Sequence, residues 1–199
     1  MVEIFEYIED GHIYKLDGIV IPGVTDLVRP LGEDIDEMQE NAVEAAADRG
    51  VTCHKVLELL LGGETEIEYP DAYEPYVEAI RLFLSEHEII PLSIETPICS
   101  ERLRVGGTPD LLCYYDGKLA ALDYKFVSQI AKSKVQAQLN GYMELLIDSG
   151  VFPEELHAVQ FLNDGKYRPY PVSINNKWFV ACYEIYMRKN CKHPRGRIE

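Results

Sequence analysis

The feature that most constrains the fold is the dipeptide Asp116-Gly117, set between the apolar runs Leu111–Tyr115 and Leu119–Phe126. An Asp-Gly pair tolerates positive φ at both central positions of a type I′ turn, so it predicts a two-residue β-hairpin. That turn pairs Tyr115 with Lys118 and, counted outward, sets Asp110 opposite Asp123. The position is a non-hydrogen-bonded pair, with Cα atoms about 4.5 Å apart and both side chains on one face. Lys125 lies two residues beyond Asp123 and emerges on the same face.

Like charges facing each other across a sheet destabilise it. A fold keeps such a pair when one member is protonated or when a cation sits between them. Carboxylate oxygens suit Mg²⁺ or Mn²⁺, and such an ion acidifies a bound water and screens an incoming phosphate. A neighbouring lysine stabilises the developing charge or orients the attacking water. Asp110, Asp123 and Lys125 are therefore candidate catalytic residues for phosphodiester hydrolysis. The plainer alternative is an exposed Asp–Lys ion pair beside an unrelated turn aspartate.

The elements around the hairpin predict an α/β class, a mixed sheet flanked by helices. The chain opens with runs Ile4–Ile8 and His12–Leu16 around Asp10-Gly11, read as a two-residue hairpin turn, and continues past Asp17-Gly18 to Ile19–Ile21. This N-terminal β-meander is followed by a short helix capped by Thr25 and stopped by Pro30. A long helix is expected from Met38 to Leu61, closed by Gly62-Gly63, and a second from Ala72 to His87. A strand follows over Leu92–Cys99, ahead of the hairpin. Further on come a helix over Ser133–Leu146, strands Leu156–Leu162 and Tyr167–Val172, and a last helix over Lys177–Lys189. At 199 residues the chain is expected to be a single domain, with residues 1–30 as an appendage and 38–190 as the core.

Inside the long helix, His54 and Glu58 share a face, and Gly50 lies one turn before His54. A helical glycine costs about 1 kcal/mol relative to Ala, so Gly50 is read as permitting the close approach of a backbone or a metal site. Taken alone, His54 reads more readily as a surface or internally satisfied histidine than as a ligand.

Four segments in order resemble the PD-(D/E)xK nuclease superfamily, in its RecB-like, phage-type exonuclease branch: Arg49–His54 (R-G-x-x-x-H), Gly107–Asp110 (G-x-x-D), Asp123–Lys125 (D-Y-K) and Gln138–Tyr142 (Q-x-x-x-Y). They span about 95 residues, nearly half the chain. The resemblance implies a restriction-endonuclease-like core and a metal-dependent deoxyribonuclease, most simply an exonuclease acting at linear DNA ends in recombination, repair or phage DNA processing. It implies that His54, Asp110, Asp123 and the backbone carbonyl of Tyr124 bind one or two Mg²⁺ or Mn²⁺ ions, with Glu95 as a further candidate ligand, and that Lys125 is catalytic. Gln138 and Tyr142 would position the DNA strand or the lysine, and Arg49 is grouped with them as a substrate contact. Many RecB-like relatives hold an iron–sulfur cluster on four cysteines. Here no cysteine precedes Cys53 and only Cys182 and Cys191 come late, so no cluster is expected.

Composition agrees in part. The net charge of −15 sits awkwardly with a DNA-binding role, although Lys125, Lys132 and Lys134 group together and Arg188–Arg197 is a basic tail. A recombination or single-strand annealing partner protein, or a homo-oligomer encircling the strand, would supply further contacts. Scattered, unpaired cysteines, a first six residues without a positive n-region, and no apolar run near the roughly 20 residues of a membrane span predict a cytoplasmic protein of a bacterial or phage-infected cell. The alternative function is a non-catalytic scaffold of the same fold, serving as a DNA-binding or assembly subunit. A small-molecule phosphohydrolase lacks its Gly-rich phosphate loop.

Overall fold

The computed structural model describes residues 4–32 and 41–190. Its centre is the β-hairpin β7 (Leu111–Tyr115) and β8 (Lys118–Lys125), paired Tyr115 to Lys118 through Leu111 to Leu122. Asp116 and Gly117 both have positive φ, 47° and 85°, as a type I′ turn requires. The Asp116 side chain secures the turn from outside, accepting the Glu88 N–H at 2.9 Å and pairing with His87 Nδ1 at 2.8 Å.

Strands β4 (Ile89–Ile94), β9 (Glu155–Phe161) and β10 (Tyr167–Val172) extend the hairpin into a five-stranded sheet of order β10-β9-β8-β7-β4. Only the β8–β9 pair is parallel, which makes the sheet mixed. A parallel neighbour needs a long crossover, and helix α4 (Lys132–Asp148) supplies it. Alternation along β8 divides the core between the two faces. Ala121 joins Leu112, Leu139 and Leu145 beneath α4, whereas Ala120, Leu122 and Tyr124 meet Leu57, Ile80 and Phe83 on the other face. The latter three come from α2 (Asn41–Leu61) and α3 (Glu74–Glu86). Helices α1 (Val24–Val28) and α5 (Lys177–Asn190) back α4. They approach closely at Gly141, where an added Cβ would meet Val24 Cγ1 at 2.7 Å and Phe179 Cδ2 at 2.8 Å.

The N-terminal strands β1 (Phe5–Ile8), β2 (Ile13–Leu16) and β3 (Ile19–Ile21) form a separate antiparallel sheet. The Asp17-Gly18 turn is a two-residue one, both φ positive. The Asp10-Gly11 turn is not. Ile8 pairs with Ile13, four residues intervene, and positive φ falls on Gly11 and His12 instead.

Several boundaries differ from expectation for local reasons. The α1 cap is Gly23, whose N–H is held by Asp26 Oδ2 at 3.1 Å, and Thr25 lies inside the helix. Pro30 continues that helix as a 3₁₀ turn over Arg29–Leu31. The start expected near Met38 lies outside the described residues, and α3 begins at Glu74 after a 3₁₀ turn. The single strand expected over Leu92–Cys99 is two. It breaks at Glu95, which has φ 43°, and at Pro97, which keeps Thr96 extended and lacks a donor. The second piece, β5 (Ile98–Ser100), pairs with β6 (Val105–Gly107) in a small sheet of its own. Of the basic tail, only the three residues ending α5 are described.

Gly50 does not admit a close neighbour: nothing lies within 4 Å of a Cβ placed there. Gly50→Ala is therefore expected to stabilise the protein by about 0.5–1 kcal/mol, read as a higher denaturant midpoint. A lower midpoint would mean that the glycine is needed for backbone geometry. Among the described residues no helix is long and apolar enough to cross a membrane.

Candidate active site

The β7–β8 ladder stops at Leu111 and Leu122, so Asp110 and Asp123 lie one residue beyond the last paired position and not in a ladder pair as expected. Asp110 is nevertheless fixed on both sides. Its carbonyl accepts the Glu95 N–H at 3.0 Å, and its Oδ2 accepts the Tyr124 N–H at 2.6 Å. That backbone donor ties one carboxylate to the strand that carries the other.

Asp123 and Lys125 share the α4 face of β8. The Lys125 ammonium is 2.9 Å from Asp123 Oδ2 and donates to Gln138 Oε1 at 3.2 Å. Gln138 in turn donates to the Tyr142 hydroxyl at 3.1 Å, one turn along α4. Both Gln138 and Tyr142 are buried, so in this structure they reach the lysine and not the surface.

His54 arrives from the opposite face of the sheet. Its ring packs edge-on to Phe126, with centroids 5.1 Å apart, and its Nδ1 lies 3.4 Å from Glu95 Oε1 and 3.8 Å from Asp110 Oδ2. The left-handed turn at Glu95 that breaks the expected strand is what carries this carboxylate toward His54. Arg49, one turn and a residue earlier, donates its Nε to the Phe126 carbonyl at 3.0 Å and covers the Tyr76 ring at 5.3 Å. It anchors α2 to the end of β8. The Tyr124 side chain points away into the core, and its backbone runs beside Val159 in the parallel ladder.

Three carboxylates, one imidazole and one ammonium thus converge, with exposure graded from Asp123 (1%) through Asp110 (16%) to Glu95 (43%). The site opens toward Glu95. Burial raises the Asp110 carboxyl to about 6, and the Asp123 charge adds to the rise, against His54, Lys125 and the Tyr124 N–H. Burial opposes charging of His54, but the Asp110 and Glu95 carboxylates outweigh it and hold the imidazole above its usual value. The same contact with His54 lowers Glu95.

Among the described residues no three His, Cys, Asp or Glu side chains form a ready-made metal-holding group. The donor set still fits a hard divalent cation. Asp123 Oδ2 is buried and is met by the Lys125 ammonium at 2.9 Å, which leaves the lone pairs not facing the lysine free for a cation. Oxygen donors with one imidazole suit Mn²⁺, and Mg²⁺ somewhat less.

One contact at the site is marked by no motif in the sequence. Tyr14 of β2 hydrogen-bonds Thr108 Oγ1 at 2.9 Å, two residues before Asp110. The doublet Gly106-Gly107 was its only signal, since paired glycines mark a close approach.

The fold and site define a mixed α/β sheet with a carboxylate–lysine–imidazole cluster at one end of its central hairpin. Among solved structures, the chain is similar to an alkaline exonuclease from Laribacter hongkongensis, with 13% identity and a TM-score of 0.42, over 83% of this chain and 85% of that one. It is similar to a phage-related exonuclease from Haemophilus somnus 129PT, with 12% identity and a TM-score of 0.41, over 85% and 94%. A complex of the Laribacter enzyme with dAMP matches at 13% identity and a TM-score of 0.39, over 86% and 94%. No family model and no curated protein matches the sequence.

Proposed function

We propose that the chain is a divalent-metal-dependent deoxyribonuclease of the PD-(D/E)xK type, acting on DNA ends as an exonuclease. The observation that carries this reading is the pairing of two largely buried carboxylates at one end of the hairpin, Asp110 and the fully buried Asp123, with the Lys125 ammonium 2.9 Å from Asp123 Oδ2. His54, Asp110, Asp123, the Tyr124 carbonyl and Glu95 would hold Mg²⁺ or Mn²⁺. A bound ion supplies an acidified water and neutralises phosphate charge.

The remaining roles fall to side chains. Lys125, directed by Gln138, presents its ammonium to the charge that builds on the phosphate oxygens or orients the attacking water. Gln138 and Tyr142 act by positioning that lysine, since both are buried. Arg49 keeps α2, and with it His54, against β8. A non-catalytic scaffold would have no use for two neighbouring, largely buried carboxylates that share a single ammonium.

The test uses end-labelled linear duplex and covalently closed circles with Mn²⁺. The wild-type protein is expected to release label from the linear substrate, to spare the circles, and to stop when EDTA removes the metal. Equal release by Asp123→Ala would overturn the assignment. Cutting of circles would replace exonuclease by endonuclease.

A further inference from the structure

The N-terminal sheet touches the catalytic loop at a place where packing alone does not account for the residues used. Tyr14 is buried, with its ring against the backbone of Gly106. A Cβ added there would lie 2.3 Å from Tyr14 Cγ and 2.6 Å from Cβ and Cδ1. On the next residue the Tyr142 ring comes equally close, 2.9 Å from a Cβ placed at Gly107. The short strand β6 is thus held between a ring from the N-terminal sheet and a ring from α4. Its backbone is also tied down, since the Gly106 N–H donates to the Pro22 carbonyl at 2.9 Å and Gly23 bridges Gly106.

Phenylalanine would fill the Tyr14 site as well as tyrosine does. The hydroxyl has a defined partner, Thr108 Oγ1 at 2.9 Å. From there to Asp110 the chain has little freedom. Pro109 fixes its own φ and confines Thr108 to extended backbone. Holding the Thr108 side chain therefore sets the direction in which Asp110 leaves the loop. Its far side is already pinned by Glu95 and Tyr124.

We infer that Tyr14 is a positioning residue of the site, setting the Asp110 carboxylate through its hydrogen bond to Thr108, which makes the N-terminal sheet a working part of the active centre. The inference rests on the nuclease reading and adds a residue that no motif in the sequence marks.

The experiment compares full-length wild type, Tyr14→Phe, Thr108→Val and Thr108→Ser by steady-state cleavage of linear duplex, by calorimetric titration with Mn²⁺, and by thermal unfolding. Tyr14→Phe and Thr108→Val should each lower kcat and Mn²⁺ affinity about tenfold, as loss of a supporting hydrogen bond behind a ligand does. KM should stay unchanged, and the unfolding midpoint within about 5 °C of wild type. Thr108→Ser restores the hydroxyl and should restore both quantities. The Tyr14→Phe/Thr108→Val double variant should fall no further than Thr108→Val alone, because Thr108→Val already removes the bond to Tyr14 along with the neighbouring contact to Tyr7.

Wild-type kcat and Mn²⁺ affinity in Tyr14→Phe and Thr108→Val would overturn the inference while leaving the nuclease reading standing. A loss that Thr108→Ser does not repair would also overturn it, by assigning the effect to packing. A wild-type protein that neither binds Mn²⁺ nor cleaves DNA would remove the nuclease reading and this inference with it.

Discussion

Asp110→Asn is expected to slow metal-dependent cleavage by about 10³-fold or more and, at the same time, to make the metal-free protein more stable at neutral pH. The first effect follows if Asp110 is a charged oxygen ligand to the metal, as the proposed function requires, since losing one removes several kcal/mol of transition-state stabilisation. The second follows from the environment of the carboxyl. Its value is pushed from the usual 3.8 to about 6, first by burial and then by Asp123. Between those values the folded chain keeps a proton that the unfolded chain has released, so stability falls as pH rises through that window.

His54 acts in the same direction. Its raised value means that its contribution is fully present below 6.5 and is lost as pH rises through the folded value. Above pH 7 the charged Asp110 therefore opposes folding. An isosteric amide removes that penalty, on the order of 1–3 kcal/mol, less the loss of the His54 contact. Denaturant melts at pH 5 and pH 8 measure it. Wild type should lose stability between the two, and Asp110→Asn should lose less. Parallel losses in the two proteins would mean that the Asp110 carboxyl is not held out of its normal range.

Gly106→Ala should be the most disruptive Gly→Ala substitution among the described residues. Three Tyr14 atoms lie within 2.6 Å of the new methyl, where ordinary carbon contacts are about 3.5–4.0 Å. The methyl is attached to a backbone held by Pro22 and Gly23, so the ring must move instead. Overpacking of this kind costs about 1–3 kcal/mol and sometimes more. It should also impair cleavage, because moving the ring breaks the Tyr14–Thr108 bond. Gly107→Ala meets Tyr142 and Leu145 at 2.9–3.1 Å and should be milder. Urea midpoints rank the two, and a Gly106→Ala protein as stable as wild type would contradict the packing described.

What could be read from the sequence was what local chemistry specifies. The Asp116-Gly117 turn fixed the hairpin register because positive φ at both residues leaves one two-residue geometry open; Asp110 and Asp123 then fall at its open end, one residue past the last pair and not in the ladder pair expected. The same dipeptide at Asp10-Gly11 misled, since the loop there is longer and its strained positions shift by one residue. Strand β6 was invisible because two of its three residues are glycines, which carry no apolar pattern. Gly50 was misread for a related reason: a glycine in a helix does not reveal whether anything approaches it. The Tyr14–Thr108 contact joins residues 94 positions apart, beyond the reach of periodicity. His54 reaches the site around the sheet from the other face, so spacing alone could not have joined it to Asp110.

The proposed function requires this cluster to hold a divalent cation for phosphodiester hydrolysis. Crystals soaked in Mn²⁺ and measured at the manganese absorption edge test it most directly. An anomalous peak bounded by His54, Asp110 and Asp123 is expected, and it should disappear in Asp123→Ala. A peak elsewhere, or none at this cluster in a protein that cleaves DNA, would contradict the proposed function.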